Sequence, residues 1–198
     1  MSELSPLTQS EIIPSAETMS AFTAAFTGGQ VIAYPTEAVF GLGCDPDNQA
    51  AVEQVLKIKT RPQDKGLILI AASLEQLMPY IDITPLSQAI LAQVHATWPG
   101  PYTWIMPKAA KTPDYLTGNR STIAVRVSAH PVVIALCNAV DGPLVSTSAN
   151  PSGAEPARSL VDIDQYFGQS VFAIDGQVDH NAQPSKIQDA LTGKVLRG

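Results

Sequence analysis

The sequence is poor in cysteine and in positive charge, and it contains no long hydrophobic run. Its two cysteines, Cys44 and Cys137, are far apart and lack the spacing of a zinc site, so we expect neither a disulfide framework nor a zinc centre. No stretch reaches the roughly 18 apolar residues that cross a membrane. The first residues lack a basic region leading into an apolar run, which excludes a typical signal peptide. These absences predict a soluble, cytoplasmic protein with no membrane partner.

Positive charge is scarce and unevenly distributed. The chain has 12 Lys and Arg against 18 Asp and Glu, a formal net charge of −6, which opposes binding to nucleic acid. A site for a polyanion therefore needs a local cluster of cations. Residues 1–56 contain no Lys or Arg, whereas four cations follow within nine positions: Lys57, Lys59, Arg61 and Lys65. The alternative explanation is a solvated helix end, where cations favour the helix dipole.

Segments with helical spacing alternate with short apolar segments along nearly the whole chain of 198 residues. The predicted helices cover residues 16–27, 50–59, 74–80, 84–98, 131–137 and 159–167. The predicted strands cover residues 30–34, 66–71, 103–106, 122–127, 144–145, 171–174 and 194–197. This alternation predicts one α/β domain over residues 1–198, with a twisted mixed sheet flanked by helices.

The segment YPTEAVFGLG at 34–43 puts polar groups at the end of a predicted strand. Thr36 offers a hydroxyl and Glu37 a carboxylate where α/β folds place their sites. Gly41 and Gly43 are expected to let the backbone approach a ligand and to present N–H groups to an anion. Neither GxxxxGK[ST] nor GxGxxG is present. A tight turn capped by the threonine is the alternative interpretation.

The segment KIKTRPQDKG at 57–66 combines cations with a proline. Pro62 favours extended backbone at Arg61, and residues i and i+2 of an extended stretch point to one face. Lys59 and Arg61 are therefore predicted to converge on one phosphate group, with Lys65 as a third cation. Neutralisation of one of these cations by Asp64 is the alternative.

Further polar groups follow other predicted strands. Ser146, Ser148 and Asn150, in VSTSANPSG, would form a hydrogen-bonding rim for a polar ligand, or else turns that satisfy local backbone groups. A serine nucleophile is not expected, because GxSxG is absent. Arg126 lies on the polar side of a predicted strand and needs an anion or a paired carboxylate, and His130 beside Pro131 is predicted to cap a helix.

Taken together and in this order, six segments resemble the YrdC-like threonylcarbamoyl-AMP synthase family, specifically its short single-domain bacterial type. They are YPTEAVFGLG, KIKTRPQDKGLILIA, WPGP, AVRVSAHP, PLVSTSANPSG and PSKIQDALTGKVLRG. The longer relatives add a carboxyl-terminal domain, which we do not expect here.

The resemblance implies an enzyme, a nucleotidyltransferase that converts L-threonine, bicarbonate or CO2, and ATP into threonylcarbamoyl-AMP and pyrophosphate. This is the first step of threonylcarbamoyladenosine formation in tRNA, and downstream proteins transfer the group to tRNA. The implied fold is YrdC-like with a basic concave cavity, which leaves room for weak RNA contact. Mg²⁺ is expected to enter with ATP, without assigned protein ligands.

The resemblance also implies site residues. Lys59 and Arg61 match paired cations that face phosphate and carboxylate oxygens, and we expect them to be catalytic by neutralising charge. The implied substrate-binding and ATP-binding residues are Thr36, Lys65, Arg126, Ser146, Ser148, Asn150, Ser185 and Arg197. Ala38 and Phe40 stand where many members have Thr and Tyr, so hydroxyl contacts from these two positions are not expected.

Three rival interpretations differ in class. One is a non-catalytic RNA-binding domain, which the net charge and the lack of an RNA-binding aromatic motif oppose. Another is a ligase or carbamoyl-transfer enzyme with a different substrate on the same fold. The third is a purely structural domain, in which all the ordered polar segments are turns.

Overall fold

The computed structural model describes residues 13–179 and 181–197. Within these ranges seven helices are present: α1 Ala16–Thr27, α2 Gln49–Ile58, α3 Leu74–Leu77, α4 Gln88–Thr97, α5 Asp114–Thr117, α6 Pro131–Ala139 and α7 Leu160–Phe167. The nine strands described are β1 Ile32–Pro35, β2 Phe40–Gly43, β3 Ile68–Ala71, β4 Tyr102–Pro107, β5 Thr122–Val127, β6 Leu144–Ser148, β7 Phe172–Ala173, β8 Lys186–Asp189 and β9 Val195–Arg197.

The strands form one mixed sheet in the order β7-β1-β2-β6-β3-β5-β4-β8-β9. The pairs β1–β7, β3–β5 and β4–β8 are parallel, and the other neighbours are antiparallel. Strand β6 lies between β2 and β3, so its polar end is central to the sheet. The mixed sheet with flanking helices confirms the predicted fold class.

Two apolar clusters pack against opposite faces of the sheet. Along β3, Leu69 belongs to one cluster and Ile70 to the other, as the alternation of side chains in a strand requires. Trp104 of β4 is fully buried in the first cluster. Phe22 of α1 and Leu136 of α6 belong to the second. Buried side chains on both faces hold the sheet rigid beneath the polar strand ends.

The sequence predicts helix caps at Asn48, His130 and Ser159 and a helix start at Thr84-Pro85, and the structure confirms two of these four predictions and corrects two. The Asn48 side chain accepts from Ala51 N, and the Ser159 side chain accepts from Asp162 N. Helix α4 begins at Gln88 behind the cap Ser87, three residues later than its predicted proline start. His130 occupies the cap position of α6, but its side chain makes no capping hydrogen bond. None of the helices described is long and apolar enough to span a membrane.

Gly41 and Gly43, which the sequence predicts to let the backbone approach a ligand, lie in strand β2, and Gly41 lines the cavity described below. This strand pairs with β1 on one side and β6 on the other. A Cβ on Gly43 would lie 1.8 Å from the Val145 carbonyl oxygen, and one on Gly41 would lie 3.2 Å from the Tyr34 ring. Close packing between the strands therefore requires these glycines. Because β2 is paired on both sides, the prediction that the glycine N–H groups point toward an anion is not confirmed. Strands β2 and β8 were not predicted.

Candidate functional site

A cavity of about 390 Å³ opens over the polar strand ends and is lined by segments from both halves of the chain. Eight of the sequence-predicted site residues line it: Thr36, Arg61, Lys65, Arg126, Ser146, Ser148, Ser185 and Arg197. Two predicted residues, Lys59 and Asn150, are not among the lining residues. Tertiary structure thus brings together residues that are up to 161 positions apart in the chain (197 minus 36).

The charged side chains that line the cavity are nearly all cationic. Among the described residues, the lining cations are Arg61, Lys65, Arg120, Arg126 and Arg197, and the lining carboxylate is Glu37. The chain as a whole carries a formal net charge of −6. The local cluster therefore opposes the overall charge, and it is suited to anionic ligands.

The cavity carboxylate is fully engaged by protein groups. Glu37 Oε2 lies 2.5 Å from Arg126 Nη2, and Glu37 Oε1 accepts from Ser128 Oγ at 2.9 Å and from Ala129 N at 3.2 Å. Arg126 Nε also donates to the Gly100 carbonyl oxygen at 3.0 Å. Arg126 is only 8% exposed. The sequence predicts that Arg126 pairs with a bound anion or with a carboxylate, and in the structure its partner is the carboxylate of Glu37.

The predicted convergence of Lys59 and Arg61 through extended backbone is wrong. Lys59 is the C-cap of α2 and has helical, not extended, backbone, and Thr60 has a φ of 50°. The Lys59 ammonium group donates to the Ser148 carbonyl oxygen, the Asn150 carbonyl oxygen at 2.9 Å and Asn150 Oδ1 at 3.3 Å. Burial, reinforced by the charge of Arg61, lowers the pKa of Lys59 to about 8.

The loop after β6 is held by its own amide side chain. Asn150 Oδ1 accepts from Ser148 Oγ at 2.6 Å, and Asn150 Nδ2 donates to the carbonyl oxygens of Pro151 at 3.1 Å and Ala154 at 2.8 Å. Every polar atom of this side chain is used inside the loop or by Lys59. Asn150 therefore shapes the rim, while Ser146 and Ser148 line the cavity.

The carboxyl-terminal hairpin closes another side of the cavity. Arg197 donates from Nε and Nη2 to the Ser185 carbonyl oxygen at 2.9 and 2.8 Å, and from Nη2 to Ser185 Oγ at 3.1 Å. Ser185 Oγ also lies 2.8 Å from Thr103 Oγ1. Burial, and then the charge of Arg126, lowers the pKa of Arg197. The two arginines therefore act on the same region of the cavity.

The remaining predicted residues differ in how freely they can meet a ligand. Thr36 is buried, and its hydroxyl donates to the Val39 carbonyl oxygen at 2.7 Å. Arg61 Nη2 donates to the Gly66 carbonyl oxygen at 2.9 Å. Lys65 is exposed at the rim. The alternative of neutralisation by Asp64 has little support. The charge of Asp64 raises the pKa of Arg61, but burial and the charge of Arg120 have larger effects and lower that pKa overall.

Residues 24–198 match the sequence model of the Sua5/YciO/YrdC family, which is described by the words telomere recombination. The chain belongs to the Sua5/YciO/YrdC family. Threonylcarbamoyl-AMP synthase of Vibrio campbellii is 53% identical over 170 residues, which cover 85% of this chain and 92% of that protein. The protein of the same name from Vibrio parahaemolyticus is 54% identical over 170 residues, with the same coverage.

Solved structures of the Sua5/YciO/YrdC family share the fold. P. abyssi Sua5, solved in complex with L-threonine, is 31% identical with a TM-score of 0.80 over 90% of this chain. The match spans 53% of the P. abyssi chain, so the present chain corresponds to about half of that protein. E. coli YciO is 25% identical with a TM-score of 0.79, over 93% of this chain and 90% of that one.

One cavity residue of this family member has no signal in its local sequence. Arg120 lines the cavity, yet it lies in a turn between α5 and β5 and outside every polar motif. Packing of that turn against residues 63–66 places it there, and such packing is not visible in sequence. In the described ranges, no group of three or more His, Cys, Asp or Glu is arranged to hold a metal ion.

Proposed function

We propose that this chain is a threonylcarbamoyl-AMP synthase that forms threonylcarbamoyl-AMP and pyrophosphate from L-threonine, bicarbonate or CO2, and ATP. The observation that carries the proposal is the cavity, whose described lining residues include five cations and one carboxylate that Arg126 already engages. Two anionic substrates must be brought together in this reaction, and an excess of fixed positive charge suits that task. The relatives of that name, at 53% and 54% identity, support the same activity.

The proposed mechanism needs charge neutralisation more than proton transfer. The neutral amine of threonine adds to CO2 with loss of a proton, or to bicarbonate with loss of water, to give a carbamate. A carbamate oxygen then attacks the α-phosphorus of ATP, and the bond from that phosphorus to the departing pyrophosphate breaks. Because the carbamate is already anionic, this second step requires no strong general base. Alignment of the two substrates can supply about 7–11 kcal/mol of barrier reduction, and one preorganised charge about 2.7–4 kcal/mol.

The cavity geometry divides the proposed roles. Arg61 lines the cavity and is the cation that we assign to the phosphate chain of ATP, including the α-phosphate that is transferred. Lys59, expected from sequence to act on the substrate, becomes a positioning residue because its ammonium group holds the loop that carries Ser148. The residues assigned to substrate and nucleotide binding are Thr36, Lys65, Arg126, Ser146, Ser148, Ser185 and Arg197. Asn150 supports the rim from behind.

In this proposal Mg²⁺ is bound by the phosphates of ATP and not by protein side chains. Glu37 is the cavity carboxylate, and its oxygen atoms already contact Arg126, Ser128 and Ala129. It therefore offers a poor ligand to a cation. In the cell, the proposed product would pass to proteins that transfer the threonylcarbamoyl group to tRNA, and a cytoplasmic location and weak contact with RNA remain predictions.

Release of pyrophosphate by the pure protein tests the proposal. ATP is supplied with and without L-threonine and bicarbonate, and the AMP-linked product is identified by mass spectrometry. We expect release to require both additions. Stronger release with another amine would favour a ligase of different specificity. A folded protein that binds ATP but makes no product under any of these conditions would refute the synthase assignment.

A further inference from the structure

The turn that carries Arg120 is fixed against the loop at residues 63–66. Gly118 and Asn119 have φ values of 62° and 63°, which reverse the chain between α5 and β5. A Cβ on Gly118 would lie 2.5 Å from the carbonyl oxygen of Asp64, so the turn packs directly on that loop. Arg120 is therefore placed by backbone packing, although its own side chain is exposed.

Arg120 and Arg61 meet at Gly66. Arg61 Nη2 donates to the Gly66 carbonyl oxygen at 2.9 Å, and a Cβ on Gly66 would lie 3.2 Å from Arg120 Nη1. Burial first, and then the charge of Arg120, lowers the pKa of Arg61. The adjacent loop residue Lys65 adds a third cation to the same part of the cavity lining. Like charges at such proximity repel each other when no anion lies between them.

No carboxylate forms an ion pair with either arginine in the described part of the chain. The side-chain ion pairs there are Lys108–Asp114 and Arg126–Glu37. Arg61 Nε is buried and has no hydrogen-bond partner. Arg61 and Arg120 therefore bring positive charge to the cavity without a carboxylate counter-ion in the described part of the chain, whereas Arg126 is paired with Glu37.

We propose that Arg120, together with Arg61 and Lys65, binds the β- and γ-phosphates of ATP and the pyrophosphate that leaves. The inference rests on the proposed function and adds a residue to it. Three cations match the several negative charges of a diphosphate better than the single charge of a carboxylate. Two planar guanidinium groups can each contact two phosphate oxygens through a rigid bidentate fork, a geometry that a lysine lacks.

The proposed site lies where negative charge develops in the reaction. As the carbamate oxygen bonds to the α-phosphorus, the bond from that phosphorus to the bridging oxygen of the β-phosphate breaks. The electron pair of that bond stays on the departing pyrophosphate, which gains one negative charge beside Arg120. Arg120 therefore contributes both to ATP binding and to stabilisation of the leaving group.

Binding of inorganic pyrophosphate, measured by titration calorimetry at fixed ionic strength, tests this inference without requiring turnover. Arg120→Gln should weaken pyrophosphate binding by about 10- to 100-fold, since a hydrogen bond to a charged group is lost with the charge. Arg120→Lys should recover part of the affinity. Lys111→Gln removes the same charge from an exposed position outside the cavity lining and should leave the affinity unchanged.

Affinity for L-threonine shows whether Arg120→Gln affects only the pyrophosphate site or the whole cavity. This affinity, and the melting temperature, should be the same in Arg120→Gln and in the natural protein. Absence of pyrophosphate binding by the natural protein, equal pyrophosphate affinity in Arg120→Gln, or a matching loss for L-threonine would each overturn the inference. Formation of threonylcarbamoyl-AMP is assayed in parallel. If the protein binds pyrophosphate through Arg120 but forms no threonylcarbamoyl-AMP, the inferred anion site stands and the synthase proposal is refuted.

Discussion

The ammonium group of Lys59 donates to both the carbonyl oxygen and the side-chain Oδ1 of Asn150, at 2.9 and 3.3 Å, across 91 positions of the chain. Lys59 is 5% exposed, so this contact is made away from competing water. The end of α2 is thereby tied to the loop after β6. A cation that the sequence predicts to face substrate instead holds the cavity rim in place.

Lys59→Met tests the positioning role, because methionine fills similar space without charge or donors. The carbonyl oxygens of Ser148 and Asn150 lose their donor, which should lower the free energy of unfolding by about 1–3 kcal/mol. The displaced rim should lower turnover about 100-fold or more. Urea unfolding and pyrophosphate release measure the two effects. Lys57→Met, at an exposed position on the same helix, is the matched control, and normal turnover in Lys59→Met would contradict the role.

The lowered pKa of Lys59, about 8 in the folded protein against 10.5 for an ordinary lysine, predicts a pH-dependent contribution to stability. Between these pH values the unfolded chain keeps the proton that the folded protein has lost, so this contribution rises with pH. It is complete above the ordinary value and disappears as the pH falls through about 8. The difference in unfolding free energy between the natural protein and Lys59→Met should therefore grow from pH 7.5 to pH 10, by roughly 1 kcal/mol or more. A constant difference would contradict the lowered pKa.

Arg61→Ala removes the cation assigned to the phosphate chain of ATP. Turnover should fall by about two orders of magnitude or more, because one preorganised charge is lost from the cavity. The fold should survive, since Arg61 is half-buried and its protein hydrogen bond is to Gly66 in a neighbouring loop. Product formation and circular dichroism are measured together. Near-normal turnover in a folded Arg61→Ala protein would exclude the charge-neutralising role.

Glu37→Gln breaks the ion pair with Arg126 while keeping the shape of the side chain. Because Arg126 is buried, the loss of its counter-ion should lower the free energy of unfolding by about 3 kcal/mol. Asp114→Asn breaks the more exposed Lys108–Asp114 pair and should cost less than about 1 kcal/mol. Urea denaturation compares the two variants. Equal losses would show that burial does not distinguish these pairs.

Gly43→Ala tests the close packing of β2 against β6. The added Cβ would lie 1.8 Å from the Val145 carbonyl oxygen, so the strands must separate, at a cost of about 3 kcal/mol or more. At Gly142 the nearest atom, the Val140 carbonyl oxygen, would be 3.7 Å from a new Cβ, which is an ordinary contact. Gly142→Ala should therefore have nearly natural stability. Thermal unfolding or, for an insoluble variant, the soluble yield distinguishes them.

The regular elements with strong local signals were predictable from sequence. Helix α1 has its predicted bounds, and β5, with apolar residues at alternate positions, matches its predicted range of 122–127. Strand β2 was missed because its glycines resemble a loop, and only the positions of Tyr34 and Val145 explain them. Strand β8 carries Lys, Gln and Asp in four residues, and it forms through pairing with distant β4.

The candidate site was predictable as a set of segments but not as a geometry. The polar motifs and the family resemblance together located eight lining residues, of which Ser185 and Arg197 came from the resemblance alone. The direction of Lys59 depends on α2 reaching Ile58, and Pro62 alone could not show that. Arg120 enters through the packing of one turn on another, which leaves no local pattern in the sequence.

The cavity requires the last strands of the sheet. Strand β8 pairs with β4 and β9 pairs with β8, and the cavity lining includes Ser185, just before β8, and Arg197 of β9. During synthesis on the ribosome they emerge after every other strand, so a growing chain exposes Thr36 and Arg61 long before it can surround a ligand. The cavity lining is therefore complete only once this hairpin has paired with β4, and loss of the hairpin by proteolysis should open the cavity while the earlier strands remain paired.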